Sequence, residues 1–269
     1  MSKKILVSLL ACGAFLLLII GLGLSNQLHS DQASHVISSQ RRPLILIPGS
    51  DSMSNDFDVL IKQLNAQQTH PIVKLTVTKD QQLKFQEIRT KDTPLNDTII
   101  VVHFENSRDN NETIVEQTNG LAAAITYLHK RLGLKTANAL GYSNGGLILS
   151  RYLAGLSDKT PLSIRSIMLV GTPFIGTNTN QPDTTLFKPL KTHRQAFKSL
   201  HAVVNVAGDT GQSSDGIVPV SSVQAGQQLF MQQAQRYTQM TVNEAGLSHT
   251  NFLQQRYLAR LVRQNLLNQ

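Results

Sequence analysis

Gly141-Tyr142-Ser143-Asn144-Gly145 fits the pattern G-x-S-x-G and offers a serine as a nucleophile. An apolar run at residues 137–140 precedes it, and a helical pattern begins near Gly146. A strand, a sharp turn and a helix in that order lift the serine hydroxyl above a sheet at a helix N-terminus. The turn forces the serine backbone into a strained conformation, and the flanking glycines let strand and helix approach closely. The helix dipole there favours the negative charge that develops as a hydroxyl attacks a carbonyl carbon. An ordinary glycine turn would match the bare pattern, so its strand–turn–helix setting carries the reading.

A serine hydroxyl is a poor nucleophile unless a base takes its proton. His249, in Gly246-Leu247-Ser248-His249-Thr250, follows a β-rich run at 237–242 and stands before the last helical segment, which makes it the candidate base. His103 and His201 lie in or beside apolar strand runs and read as structural, and His193 has no comparable setting. The supporting acid is expected between serine and histidine in chain order. Asp215, in Ser214-Asp215-Gly216-Ile217-Val218-Pro219, stands in a turn where a carboxylate can orient the imidazole and stabilise the imidazolium. Asp-Gly is also a plain turn signal, and Asp209 is a nearby rival. Two backbone N–H groups should bind the oxyanion, one from Asn144 and one from the loop Pro48-Gly49-Ser50, at Ser50. The chain has no H-E-x-x-H, no calcium-loop spacing and no G-x-x-x-x-G-K, so neither a metal nor a cofactor is expected.

These residues need a scaffold, and the rest of the pattern describes one. Largely apolar runs recur at 44–47, 99–102, 137–140, 167–170 and 202–206. Continuous rather than alternating runs suit strands buried on both faces of a parallel sheet. Between them, Ile114, Leu121, Ile125, Leu128 and Leu132 fall on one helical stripe, with Gly133 as a stop. Further helices are expected at 58–64 and 147–156, and a closing one through Phe252, Leu253, Tyr257, Leu261 and Val262. Strand–helix alternation implies right-handed crossovers, hence a mostly parallel, doubly wound α/β sheet with helices on both faces. Residues 73–88 carry two partly alternating β-rich runs around Asp80-Gln81 and predict antiparallel strands at the sheet edge. Residues 174–198 are polar, contain Gly176, Pro182 and Pro189, and are a lid candidate.

The chain has 269 residues, 41% hydrophobic and 16% charged, which suits one substantial domain and excludes a disordered class. Residues 5–24 form a nearly unbroken apolar run after Lys3 and Lys4. About 20 apolar residues suffice to cross a bilayer core, and the preceding lysines favour an N-terminus left inside the cell. An uncleaved anchor is favoured over a cleaved signal peptide, whose apolar core is normally shorter. Export follows either way. The expected organisation is an anchor or signal at 1–24, a linker at 25–42 and the α/β domain at 43–269. Cys12 is the single cysteine and lies within the apolar run, which leaves no disulfide, thiol nucleophile or thiolate metal site beyond it. The formal charge is +8 and the pI about 9.7. Lys and Arg are dispersed apart from Arg41-Arg42 and the stretch 188–198, and no nucleic-acid-binding motif accompanies them. A solvated basic surface is the plainer reading, with association with anionic lipid or wall polymer as the other.

From about residue 43 to the end, the chain resembles the α/β-hydrolase-fold proteins of unknown substrate identified as cell-surface hydrolases in Gram-positive bacteria, especially lactic acid bacteria. Four segments in this order carry the resemblance: Leu140-Gly141-Tyr142-Ser143-Asn144-Gly145-Gly146, Gly171-Thr172-Pro173-Phe174-Ile175-Gly176, the Asp215 turn, and Ser248-His249-Thr250-Asn251-Phe252. The resemblance implies the α/β-hydrolase fold, a Ser143-Asp215-His249 triad and an exported or membrane-anchored setting. The chain departs from the family where Tyr142 replaces the usual His, Asn144 the usual Met, and Pro48-Gly49 the frequent His-Gly. The expected activity is hydrolysis of a small-molecule or lipid-like ester through an acyl-serine, without a cofactor. The alternatives are a non-catalytic surface-binding module on the same fold and a basic nucleic-acid-binding protein, of which no specific binding is expected.

Overall fold

The apolar runs become the interior strands of one sheet in the computed structural model, which describes residues 42–88, 95–158 and 160–267. The expected N-terminal anchor and nearly all of the linker lie outside the described residues. Among those described, the strands are β1 (Leu44–Ile47), β2 (Ile72–Val77), β3 (Leu83–Ile88), β4 (Ile99–Phe104), β5 (Thr136–Tyr142), β6 (Ser163–Val170), β7 (Ala202–Gly208) and β8 (Arg236–Val242). They form an eight-stranded sheet in the order β3-β2-β4-β1-β5-β6-β7-β8. Every neighbouring pair is parallel except β2 and β3, the expected edge hairpin.

The helices are α1 (Asp58–Asn65), α2 (Asn111–Leu132), α3 (Asn144–Leu153), α4 (Phe187–Thr192), α5 (Val220–Gln224), α6 (Gln227–Phe230) and α7 (Arg256–Val262). A strand sends successive side chains to opposite faces, so a continuous apolar run feeds two cores at once. Ile45 and Ile47 of β1 join Ile100 and Val102 of β4 under α2 and α3, where Leu121, Ile125 and Ile148 cover them. Leu44, Leu46, Ile99 and Val101 face the other way, against Leu60 and Leu64 of α1 and Leu258 and Val262 of α7. This is the α/β-hydrolase architecture, with helices on both faces of a mostly parallel sheet.

Local chemistry explains the boundaries of α2. Asn110 is extended and its side-chain oxygen accepts from the N–H of Thr113 at 2.8 Å, while Gly133 closes the helix in the left-handed region at φ 68°. Two expectations need correction. The closing segment is not one helix: a 3-10 turn, His249–Gln254, is separated from α7 by Gln255 in an extended conformation. Ser248 and Asn251 form a reciprocal capping box that fixes where this turn starts. Nor is 174–198 a loop throughout. Its second half contains α4 and a 3-10 turn, Arg194–Ser199, and it buries Phe187, Leu190 and Phe197 in the core. Weak periodicity hid these short elements because each presents only one or two apolar residues.

Candidate active site

In a parallel sheet, every loop that follows a strand leaves the same edge, and this edge gathers the candidate residues. Ser143 sits between β5 and α3 with φ 54° and ψ −129°, a left-handed conformation that is costly for any residue with a side chain. The turn closes because Gly145 has no Cβ: one placed there would come within 2.3 Å of the Ile47 carbonyl oxygen and 2.5 Å of that of Pro48. Helix α3 thus begins at Asn144, three residues earlier than its apolar pattern suggests.

Ser143 Oγ lies 2.9 Å from His249 Nε2. His249 Nδ1 lies 2.7 Å from Asp215 Oδ2. With its proton on Nδ1, the ring donates to the carboxylate and leaves Nε2 to accept from the serine hydroxyl. Asp215 is almost wholly buried, at 1% exposure, and its other oxygen, Oδ1, accepts from the N–H groups of Val218 at 2.7 Å and Ile217 at 3.1 Å. The His249 N–H donates to the Asp215 carbonyl oxygen at 2.8 Å, so backbone and side chain both join the two residues. Asp209, the rival acid, is turned elsewhere and accepts from the Gly211 N–H at 2.8 Å. His201 contacts Gln235 and Arg236, and His193 contacts the Pro189 carbonyl oxygen.

The departures from the family pattern acquire contacts that sequence alone does not reveal. The Tyr142 hydroxyl donates to the His249 carbonyl oxygen. Its ring stacks on the imidazole with centroids 5.2 Å apart. Burial, and then the charges of Asp215 and Asp56, push the Tyr142 phenol well above its ordinary range, so it remains a donor. The Asn144 side chain donates from Nδ2 to Ser50 Oγ at 2.8 Å and to Asp109 Oδ1 at 2.7 Å. Ser50 Oγ also lies 3.4 Å from Asp109 Oδ1. The residues expected to bind an oxyanion are thereby tied to each other and to Asp109, which carried no recognisable signal in the sequence. Asn144 opens α3, and an N–H in the first helical turn has no partner within its own helix.

Ser143 and His249 open into a cavity of about 520 Å³. Leu147, Phe174, Leu186 and Val218 supply apolar wall, while Asp51, Asp109, Glu112 and Asp183 bring carboxylates. Gly176, Asn178 and Gln181 also line it, so the first half of the lid candidate is a cavity wall.

Residues 31–269 match the model of a family described as an alpha/beta hydrolase of unknown function (DUF915). Among solved structures, the chain is similar to one from Lactobacillus plantarum WCFS1 described as a candidate cell-surface hydrolase. The two are 31% identical, with 84% of this chain and 91% of that one covered and a TM-score of 0.72. A Listeria innocua gene product is 23% identical over 83% of this chain and 93% of that one, with a TM-score of 0.73. A lipase-esterase related protein from Clostridium acetobutylicum shares the fold at 12% identity and a TM-score of 0.52, covering 84% of this chain and 94% of that one. No functionally curated protein matches the chain.

Proposed function

The chain belongs to this family of α/β hydrolases, and we propose that it is an exported serine hydrolase that cleaves carboxylic esters through an acyl-serine intermediate. The observation that carries the reading is the unbroken line of contacts from Ser143 through His249 to Asp215, at 2.9 and 2.7 Å. In the proposed reaction His249 Nε2 takes the Ser143 proton as Oγ attacks the ester carbonyl. Asp215 holds the imidazole with Nδ1 protonated and offsets the charge of the imidazolium. The N–H groups of Asn144 and Ser50 bind the oxyanion. His249 then protonates the leaving alcohol, and a water deprotonated by the same ring releases the acid and restores Ser143. No cofactor is required.

The proposed setting is the outer face of the membrane, with residues 1–24 as anchor or signal, 25–42 as linker and 43–269 as the hydrolase domain. Its support is the apolar run after Lys3 and Lys4, together with the description of the L. plantarum relative. Protease treatment of intact cells should digest the domain; full protection would refute export.

The catalytic test compares the full chain with Ser143→Ala on p-nitrophenyl esters of graded acyl length. Parent activity should be lost in the variant, and a fluorophosphonate should label Ser143 covalently. Equal turnover in both proteins, or labelling at another residue, would remove Ser143 as nucleophile.

A further inference from the structure

The charge of the cavity is opposite to that of the chain as a whole. The protein carries +8, yet Asp51, Asp109, Glu112 and Asp183 line the cavity, and no Lys or Arg is among the described residues lining it. Asp51, Asp109 and Asp183 come from separate loops after β1, β4 and β6, and Glu112 from the first turn of α2, so no single helix face accounts for their convergence. Two are held in place. Asp183 accepts from Asn111 Nδ2 at 3.0 Å and from the Thr185 N–H at 2.8 Å, and these bonds lower its pKa and keep it ionised.

Asp109 is the more telling of the two. Its Oδ1 accepts from the side chain of Asn144, the residue that follows Ser143, and approaches Ser50. A fixed negative charge beside the groups proposed to bind an oxyanion opposes the charge developing in the transition state. For a neutral or anionic ester this arrangement is unfavourable. A substrate that brings its own positive charge reverses the sign, because the cation is attracted to the carboxylates and offsets them as the oxyanion forms.

We propose that the substrate is an ester bearing an ammonium group within a few bonds of its carbonyl, bound by Asp109, Asp183, Glu112 and Asp51. The proposal rests on the serine-hydrolase reading, which supplies the reacting centre in the same cavity. The apolar walls at Leu147, Phe174 and Val218 would pack the uncharged part of the ester. The carboxylates are solvent-facing, so the preference should be moderate and sensitive to salt.

The test uses the full chain in non-ionic detergent and follows fluorophosphonate labelling of Ser143 in competition with choline or with 3,3-dimethylbutanol, its uncharged isostere. Choline should slow labelling at a concentration about five-fold lower than the isostere at low ionic strength, and the difference should shrink in 0.5 M salt, where the screening length falls to about 4 Å. Asp109→Asn should bring the ratio of the two close to one, and Asp183→Asn should lower it if the first variant is not labelled. Labelling that choline slows no better than 3,3-dimethylbutanol would overturn the substrate class and leave the serine hydrolase standing. Absence of labelling at Ser143 in the parent chain would overturn both.

Discussion

Replacing Asp215 with Asn tests the proposed chemistry with little change in shape. Asp215 Oδ1 accepts from two backbone N–H groups, at 2.7 and 3.1 Å, in a site with 1% exposure. An asparagine must place its carbonyl oxygen there, because an NH2 facing two N–H donors would leave all of them unsatisfied. Its NH2 then faces His249 Nδ1, where the carboxylate now sits at 2.7 Å. The ring must accept at Nδ1, so its proton moves to Nε2, and Nε2–H points at Ser143 Oγ instead of accepting from it. The wrong tautomer and the lost imidazolium stabilisation together should lower kcat about 10⁴-fold, or about 5 kcal/mol of barrier. The assay is kcat on the best p-nitrophenyl ester, with circular dichroism to verify folding and ¹⁵N NMR of the histidine ring to read the tautomer. Asp209→Asn should stay within about three-fold of the parent, since Asp209 caps only the Gly211 N–H. A folded Asp215→Asn protein within ten-fold of parent activity would refute the relay.

Ser143→Gly should abolish ester turnover while raising the melting temperature above that of Ser143→Ala. It relieves a left-handed backbone worth about 1–3 kcal/mol, less about 1 kcal/mol for the greater freedom of the unfolded chain. Gly145→Ala should destabilise the fold by at least about 3 kcal/mol or prevent soluble expression, because backbone carbonyl oxygens at 2.3 and 2.5 Å cannot move aside as a side chain would. Tyr142, Tyr152 and Tyr237 all have phenols raised above their ordinary value, with burial the largest cause. The unfolded chain ionises them near pH 10, before the folded one does, so their contribution is complete below about pH 10 and is lost as pH rises beyond it. Urea unfolding between pH 8 and 11.5 should show this loss, and Tyr142→Phe should reduce its steepness; a flat profile would count against the buried phenols.

The sheet was legible because burial on both faces leaves a signal in every residue of a strand. The run at 44–47 is β1 to the residue, and the alternation at 73–88 marks the β2–β3 edge, where only one face is apolar. Helix α2 was legible for a similar reason, since its stripe spans many turns. Elements α4, α5 and α6 are too short for a period to establish itself, so residues 174–198 read as a lid candidate and 220–230 suggested no element, although Phe187, Phe197 and Phe230 are core. At the site, the strand–turn–helix setting pointed to Ser143 and the chain order to Asp215 and His249. The role of Asp109 was not legible, because it depends on a contact with Asn144 across 35 positions that no local pattern encodes.

The strand order explains a further segment that sequence reading valued only as a likeness. Ser143 follows β5, whereas Asp215 and His249 follow β7 and β8, so β6 lies between the nucleophile and its partners. For the contacts to close, the imidazole and the carboxylate must lean back across the end of β6, over Gly171. A Cβ at Gly171 would come within 3.1 Å of His249 Cε1 and 3.2 Å of Asp215 Oδ2, and its φ of +58° already disfavours a side chain. The Gly171 N–H donates to the Val206 carbonyl oxygen at 2.9 Å and the Ser143 N–H to that of Val170 at 2.8 Å, which lock β6 to both neighbours at this level. Gly171 is therefore the low point that lets the loops after β5, β7 and β8 meet across the end of β6. A side chain there would strain the backbone and push the imidazole and the carboxylate aside by a few tenths of an ångström, out of the line that the relay needs.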